Sequence, residues 1–281
     1  MALTYGPDAL LTSAKRGNVT SGGLPMEFKA ETVTLNGAKL ALRRAGAGEP
    51  VIFLHGADGL TEWPALLDEL ANKYDVIVPD LPGFGQSAAA EWLDDISDVA
   101  YMLLDLLEHY DLKGVRIIGH SLGGWAALEM AVRDCKRIRS LTLLAPAGIH
   151  LKGHPKADIY MIDPDEQARL AYADESLGKA AAERALVSKH QEQAILNRIA
   201  SARLGWNPRL YNPRLGRWLN RIKIPVQIIW GDTDRIIPTP YAEAFGKLMN
   251  AKITVLKNCG HLPHVEKRAE VMGLLQEAFK S

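Results

Sequence analysis

Two patterns of hydrophobic positions alternate along the chain. Short, almost wholly apolar runs recur at Pro50-Val-Ile-Phe-Leu54, Val76-Ile-Val-Pro79, Val115-Arg-Ile-Ile118, Leu141-Thr-Leu-Leu144, Ile224-Pro-Val-Gln-Ile-Ile-Trp230 and Ile253-Thr-Val-Leu256. Runs of this length and uniformity suit strands covered on both faces, as in a parallel sheet. Residues 31–35 and 38–44 instead alternate, and they flank Asn36-Gly37, a two-residue turn signal, so a hairpin is expected there. Between the apolar runs, residues 95–110, 121–133, 238–249 and 264–280 space their apolar positions as helices do. Strand and helix in this order predict an α/β architecture, a mostly parallel sheet of eight strands with right-handed crossovers and helices on its faces.

Two stretches fall outside that rhythm. Residues 1–26 lack periodicity, are rich in Gly, Ser and Thr, and read as a flexible N-terminal arm. Residues 148–221 hold no convincing strand, only helical stretches over 164–174, 177–189 and 191–204 and a passage rich in Pro and Arg. Connections inside compact domains usually run to about 2–6 residues, so this segment is expected to be an inserted helical cap. The core would then comprise residues 27–147 and 222–281.

Composition adds few constraints. The 281 residues are 47% hydrophobic and 23% charged, and 33 basic residues balance 33 acidic ones. A neutral chain without like-charge blocks has no electrostatic footprint for nucleic acid or for an anionic membrane. Cys135 and Cys259 lack metal-ligand or redox spacing and read as two reduced thiols. The cluster Ala9-Leu10-Leu11 is far shorter than a secretory apolar region, and no run approaches the roughly 20 apolar residues of a membrane span. A soluble, cytoplasmic protein is expected, its partners a small-molecule substrate and, at most, a second copy in a homodimer.

The candidate chemistry lies at the ends of the apolar runs. Gly119-His-Ser-Leu-Gly123 follows Val115–Ile118 and precedes a helical stretch, the context of a nucleophile elbow. There a serine, Ser121, occupies a tight strand-to-helix turn, flanked by glycines because side chains would strike the neighbouring strand and helix. His55-Gly56 ends an earlier strand, and the N–H of Ala57 beyond it, with that of Leu122 after the serine, could hold an oxyanion. The His55 side chain itself reads as structural. Trp230-Gly-Asp-Thr-Asp234 supplies an acid after a strand; Asp234 is favoured, and Asp232 suits the turn or a cap. Cys259-Gly-His261-Leu-Pro-His264 offers two histidines, of which His261, following Gly260 in a loop, can swing toward the serine. The catalytic set is therefore Ser121 as nucleophile, His261 as general base and Asp234 as its orienting acid, in the chain order Ser, Asp, His. Phe84, Trp125 and Trp206 are candidate substrate contacts, with core packing the competing reading. His150 and His154 lie in a loop without a third ligand, so neither a metal nor an organic cofactor is implied.

These residues resemble the α/β-hydrolase superfamily along nearly the whole chain after residue 30. The matching passages are Phe53–Gly56, Asp80-Leu-Pro-Gly-Phe-Gly-Gln-Ser87, Gly119–Gly124, Trp230–Pro238 and Cys259–Glu266. The group that looks most similar is the capped bacterial serine hydrolases, with carboxylesterases and the C–C bond hydrolases of aromatic-ring degradation among them. The resemblance implies the α/β-hydrolase fold, a cap over the catalytic face and an apolar pocket between the two. Epoxide hydrolases and haloalkane dehalogenases carry aspartate where this chain has Ser121. The C–C hydrolases usually carry Asn and Met around the serine, where His120 and Leu122 stand here. The expected activity is thus hydrolysis of a carboxylic ester or related acyl bond of a small, largely apolar substrate. A C–C bond hydrolase acting on a vinylogous diketone, or a hydrolase-fold ligand receptor, is the alternative.

Overall fold

The computed structural model describes residues 12–16, 27–185 and 187–280. Its centre is one sheet of strands β1 (Thr12–Arg16), β2 (Glu27–Leu35), β3 (Ala38–Ala45), β4 (Pro50–Leu54), β5 (Asp75–Pro79), β6 (Val115–His120), β7 (Ile138–Leu144), β8 (Val226–Gly231) and β9 (Ala251–Leu256). Their spatial order is β1-β2-β3-β5-β4-β6-β7-β8-β9. β5 through β9 run parallel in that order, while β1, β2 and β3 pair antiparallel at one edge. The eight expected strands are all present. A ninth, β1, pairs with β2 and comes from the stretch expected to be a loose arm; the rest of that arm lies outside the described residues.

The centre of the sheet is covered on both faces: β5, β6 and β8 are buried at every position and β4 at all but its first. Alternate side chains of a strand point to opposite faces. On β4, Ile52 and Leu54 join one core cluster and Val51 and Phe53 the other. Helices α1 (Ala65–Ala71) and α9 (Arg268–Ala278) cover the Val51 side, and α2 (Ile96–His109), α3 (Leu122–Arg133) and α7 (Pro240–Leu248) the opposite side. Helix α2 begins with a capping box: Asp95 accepts from the amides of Ser97 and Asp98, and the Asp98 carboxylate turns back to the Asp95 amide. Helix α1 had no clear signal, being only two turns long.

Between β7 and β8 the chain forms α4 (Pro164–Ala171), α5 (Glu175–Ala185) and α6 (Ser188–Gly205), then two short 3-10 turns. The insertion is tied to loops that leave the C-terminal ends of four strands. Gln167 bonds Asp58 beyond β4, Asn197 bonds Gly85 beyond β5, and Arg235 beyond β8 donates to the Tyr172 carbonyl. His261, beyond β9, donates its amide to the Ala171 carbonyl at 2.7 Å. Helix α8 (Pro263–Glu266) follows at once.

Candidate active site

Ser121 sits between the last residue of β6 and the first of α3, with φ 51° and ψ −112°. A side-chain-bearing residue rarely adopts a positive φ, and holding one there costs on the order of 1–3 kcal/mol. The turn is fixed from both sides: the Ser121 amide donates to Leu144 at 2.9 Å, and its carbonyl accepts from Trp125 and Ala147, both at 3.0 Å. The glycines around it answer to space. A Cβ on Gly123 would stand 2.3 Å from the Leu54 carbonyl oxygen, and one on Gly119 2.7 Å from that of Gly123.

Beside the elbow lies His261, whose Nε2 is 2.9 Å from the Ser121 hydroxyl oxygen. Its Nδ1 donates to the Asp234 carboxylate at 2.8 Å. The second Asp234 oxygen accepts from the amides of Ile236 and Ile237, each at 2.9 Å, so the carboxylate is held in place by its own loop. All three residues are buried, each 6% exposed. With the Nδ1 proton on the Asp234 side, Nε2 keeps a lone pair for the serine hydroxyl. Asp232 makes the turn instead, accepting from the Cys259 amide and pairing with Lys257.

Three other histidines near the elbow, His55, His120 and His264, are buried. His55 is fully buried, accepts the Leu81 amide at Nε2 and donates from Nδ1 to the Gly56 carbonyl. His120 donates from Nε2 to the His261 carbonyl at 2.9 Å, and its ring packs at a tilt against those of His261 and His264. Burial and the neighbouring histidines hold His120 well below the usual imidazole range. His264, buried beside His261, is pushed down to about 3.

The two candidate oxyanion donors lie on segments next to the serine. Leu122 is the first residue of α3, so its N–H has no carbonyl one turn earlier within the helix. The N–H of Ala57 donates to no backbone carbonyl among the described residues. A Cβ on Gly56, the residue before Ala57, would stand 3.4 Å from the Ser121 Cβ, which measures how closely this loop passes the serine. The three residues expected as substrate contacts have different surroundings. Phe84 is fully buried with its edge against His55, Trp125 is buried and donates to Glu129, and Trp206 is 49% exposed beneath the Arg209 guanidinium.

Three residues that brace these loops were not among the sequence candidates. Glu266 accepts from Gly260 at 2.7 Å with one oxygen, and from Ala173 at 2.8 Å and Asp174 at 3.2 Å with the other, joining the His261 loop to the insertion. Buried Asn197 donates to the Asp58 carbonyl at 2.7 Å and accepts from Gly85, clamping α6 to two loops of the core. Gln167 donates to the Asp58 carboxylate at 2.7 Å. Among the described residues, no cluster of three or more His, Cys, Asp and Glu is arranged to hold a metal ion, and no helix is long and apolar enough to cross a membrane.

An elbow serine, a histidine and an acid at the C-terminal ends of parallel strands define a hydrolase of α/β architecture. The family model described as the alpha/beta hydrolase family matches residues 51–274, and the chain belongs to that family. It is 30% identical to the 2-hydroxymuconate semialdehyde hydrolase of Pseudomonas sp. (strain CF600), over 85% of this chain and 89% of that one. It is 24% identical to Lipase 1 of Psychrobacter immobilis, over 94% of this chain and 88% of that one. Among solved structures, the 2-hydroxy-6-oxo-6-phenylhexa-2,4-dienoate hydrolase of Rhodococcus sp. strain RHA1 shares the fold, with a TM-score of 0.75 at 24% identity, covering 91% of this chain and all of that one.

Proposed function

We propose that the protein is a serine hydrolase that cleaves a carboxylic ester or related acyl bond of a small, largely apolar substrate through an acyl-enzyme. The observation that carries this reading is the unbroken hydrogen-bond chain from Ser121 through His261 to Asp234, with the serine in a strained elbow. Ser121 attacks the carbonyl carbon while His261 Nε2 takes its proton; Asp234 keeps the ring oriented and stabilises the imidazolium. The amides of Ala57 and Leu122 receive the negative charge that develops on the carbonyl oxygen. His261 returns the proton to the leaving alcohol, and water, activated by the same ring, then releases the acid. Residues 148–221 act as a cap over this site, a reading supported by their ties to the loops of β4, β5, β8 and β9.

A second reading is cleavage of a C–C bond beside a carbonyl. It is favoured by the 30% identity to a 2-hydroxymuconate semialdehyde hydrolase. Stopped-flow hydrolysis of p-nitrophenyl acetate and of a longer-chain ester, by wild type and Ser121→Ala, separates the two. Steady turnover that drops by several orders of magnitude in the variant is the expected result. A single burst without turnover favours C–C cleavage or a ligand receptor, and equal rates in both proteins refute Ser121 as nucleophile.

A further inference from the structure

The chain enters and leaves the insertion side by side. Gly148 and Tyr211 form a parallel bridge, in which the Gly148 amide donates to the Leu210 carbonyl at 3.1 Å and the Asn212 amide to the Gly148 carbonyl at 3.0 Å. Each side of this neck is mounted on a core helix. Asn212 donates from Nδ2 to the buried Glu129 carboxylate of α3 at 2.8 Å. The Tyr241 hydroxyl of α7 accepts the Leu151 amide at 3.2 Å and donates to the His154 carbonyl at 3.0 Å. The neck also lies against the elbow. The Ala147 amide donates to the Ser121 carbonyl, and a Cβ on Gly148 would stand 2.7 Å from Trp125 Cδ1.

A lysine of the insertion joins the two sides. Lys156 is half-buried, and its Nζ donates to the Leu210 carbonyl at 2.7 Å and to the Ile149 carbonyl at 3.1 Å. The same nitrogen stands 5.1 Å from the centre of the Tyr211 ring and 5.8 Å from that of Tyr241. None of these four partners is a carboxylate, and burial lowers the proton affinity of the amine, to about 7. Charged or neutral, it has N–H groups enough for both carbonyls. The Leu210 carbonyl thus accepts twice, from Gly148 and from Lys156, and Leu210 itself is held at φ 51°.

Leu210 is also the mount of the long helix α6, since its amide donates to the carbonyl of Gly205, the last helical residue, at 3.0 Å. The 18 residues of α6 extend about 27 Å, so a tilt of about 5° at the neck would carry the far end about 2 Å. Ties farther out, Gln167 to Asp58 and Arg203 to Asp94, are exposed, and contacts of that kind hold weakly in water. We propose that Lys156 is a positioning residue for the proposed hydrolysis: by joining the Leu210 and Ile149 carbonyls it fixes the angle at which the insertion sits against the elbow, and so places the part of the substrate that reaches the insertion. The proposal rests on Ser121 as nucleophile and on residues 148–221 as the cap.

The test measures amide hydrogen exchange without substrate, and the KM values of p-nitrophenyl acetate and p-nitrophenyl hexanoate, for wild type, Lys156→Met and Lys156→Arg. Methionine keeps the apolar stem and removes both donors. In that variant Gly148 and Asn212 should exchange about tenfold faster or more, while Ile117 and Ile118 of β6 stay as slow as in wild type. Its KM for the hexanoate should rise about fivefold more than its KM for the acetate, the longer acyl chain being the one that meets the insertion. Lys156→Arg keeps N–H donors at this place and should recover most of the protection and of the KM ratio. The proposal is overturned if Lys156→Met leaves Gly148 and Asn212 at wild-type rates, if the two KM values rise together, or if the arginine variant is as open at the neck as the methionine one. If methionine prevents folding, the arginine variant decides alone, since an open neck in it refutes a role for the donors. Hydrolysis that Ser121→Ala does not remove would refute the ester reading by itself, and exchange at the neck would still decide the role of Lys156.

Discussion

Glu266→Ala should weaken the fold and the proposed catalysis together. The carboxylate accepts three backbone amides, those of Gly260, Ala173 and Asp174. A hydrogen bond to a charged acceptor contributes about 1.5–3 kcal/mol, and bonds reached by water lie at or below the bottom of that range. The Gly260 and Ala173 bonds are part-buried and the Asp174 bond is exposed. Two bonds of about 1.5 kcal/mol and a negligible third give a loss near 3 kcal/mol. For a chain of this size that corresponds to a melting temperature lower by roughly 6–10 °C. The damage is local to the histidine, since Gly260 precedes His261 and the His261 amide is itself bonded to Ala171 of the insertion. The ring would lose its fixed approach to Ser121, so kcat should fall more than KM rises. Glu266→Gln keeps one acceptor oxygen and places an NH2 group against the remaining amides, so it should cost about half as much. Urea unfolding followed by tryptophan fluorescence, beside ester hydrolysis on the same samples, measures both effects. A loss below about 0.5 kcal/mol with kcat unchanged would refute the view that this carboxylate braces the catalytic loop.

Other substitutions probe the remaining supports. Asp234→Asn preserves shape but removes the acceptor that sets the His261 tautomer, and kcat should drop by roughly 10⁴-fold, measured against p-nitrophenyl acetate, while the melting temperature moves little by comparison. Gly123→Ala places a methyl 2.3 Å from the Leu54 carbonyl oxygen, a backbone atom that cannot swing aside; both stability and activity should suffer, and wild-type behaviour in thermal melts and hydrolysis assays would contradict the packing argument. Acid should destabilise the protein through its buried histidines. Unfolded His264 takes a proton below about pH 6.5, whereas in the fold it resists until about pH 3, so the unfolded state binds more protons and stability falls as pH drops through that window. At pH 5 this histidine alone removes about 2 kcal/mol. Comparing urea midpoints at pH 7 and pH 5 for wild type and His264→Phe tests this, the variant losing less on acidification.

The alternation of apolar runs and helical stretches was legible because a parallel sheet buried on both faces demands it. The same period-two geometry sends Ile52 and Leu54 to one core and Val51 and Phe53 to the other. The elbow was equally legible, since Gly119 and Gly123 stand where any Cβ would collide with backbone. β1 and α1 were not, because five strand residues in a polar arm and seven helical residues carry too little periodicity to be distinguished from loop.

Local sequence thus determined the type of each long element, the strained seat of Ser121 and which loops bear His261 and Asp234. It did so because these depend on dihedral freedom, burial periodicity and order along the chain. The tertiary structure set Asp234 rather than Asp232 against the His261 ring, and it brought Asp58, Gln167, Asn197 and Glu266 into the hydrogen bonds around that loop. Asp58 and Asn197 are 139 positions apart along the chain, and Ala173 and Glu266 are 93 apart. Such pairs follow only from the path the insertion takes over the strand ends, and no local pattern in the chain encodes that path.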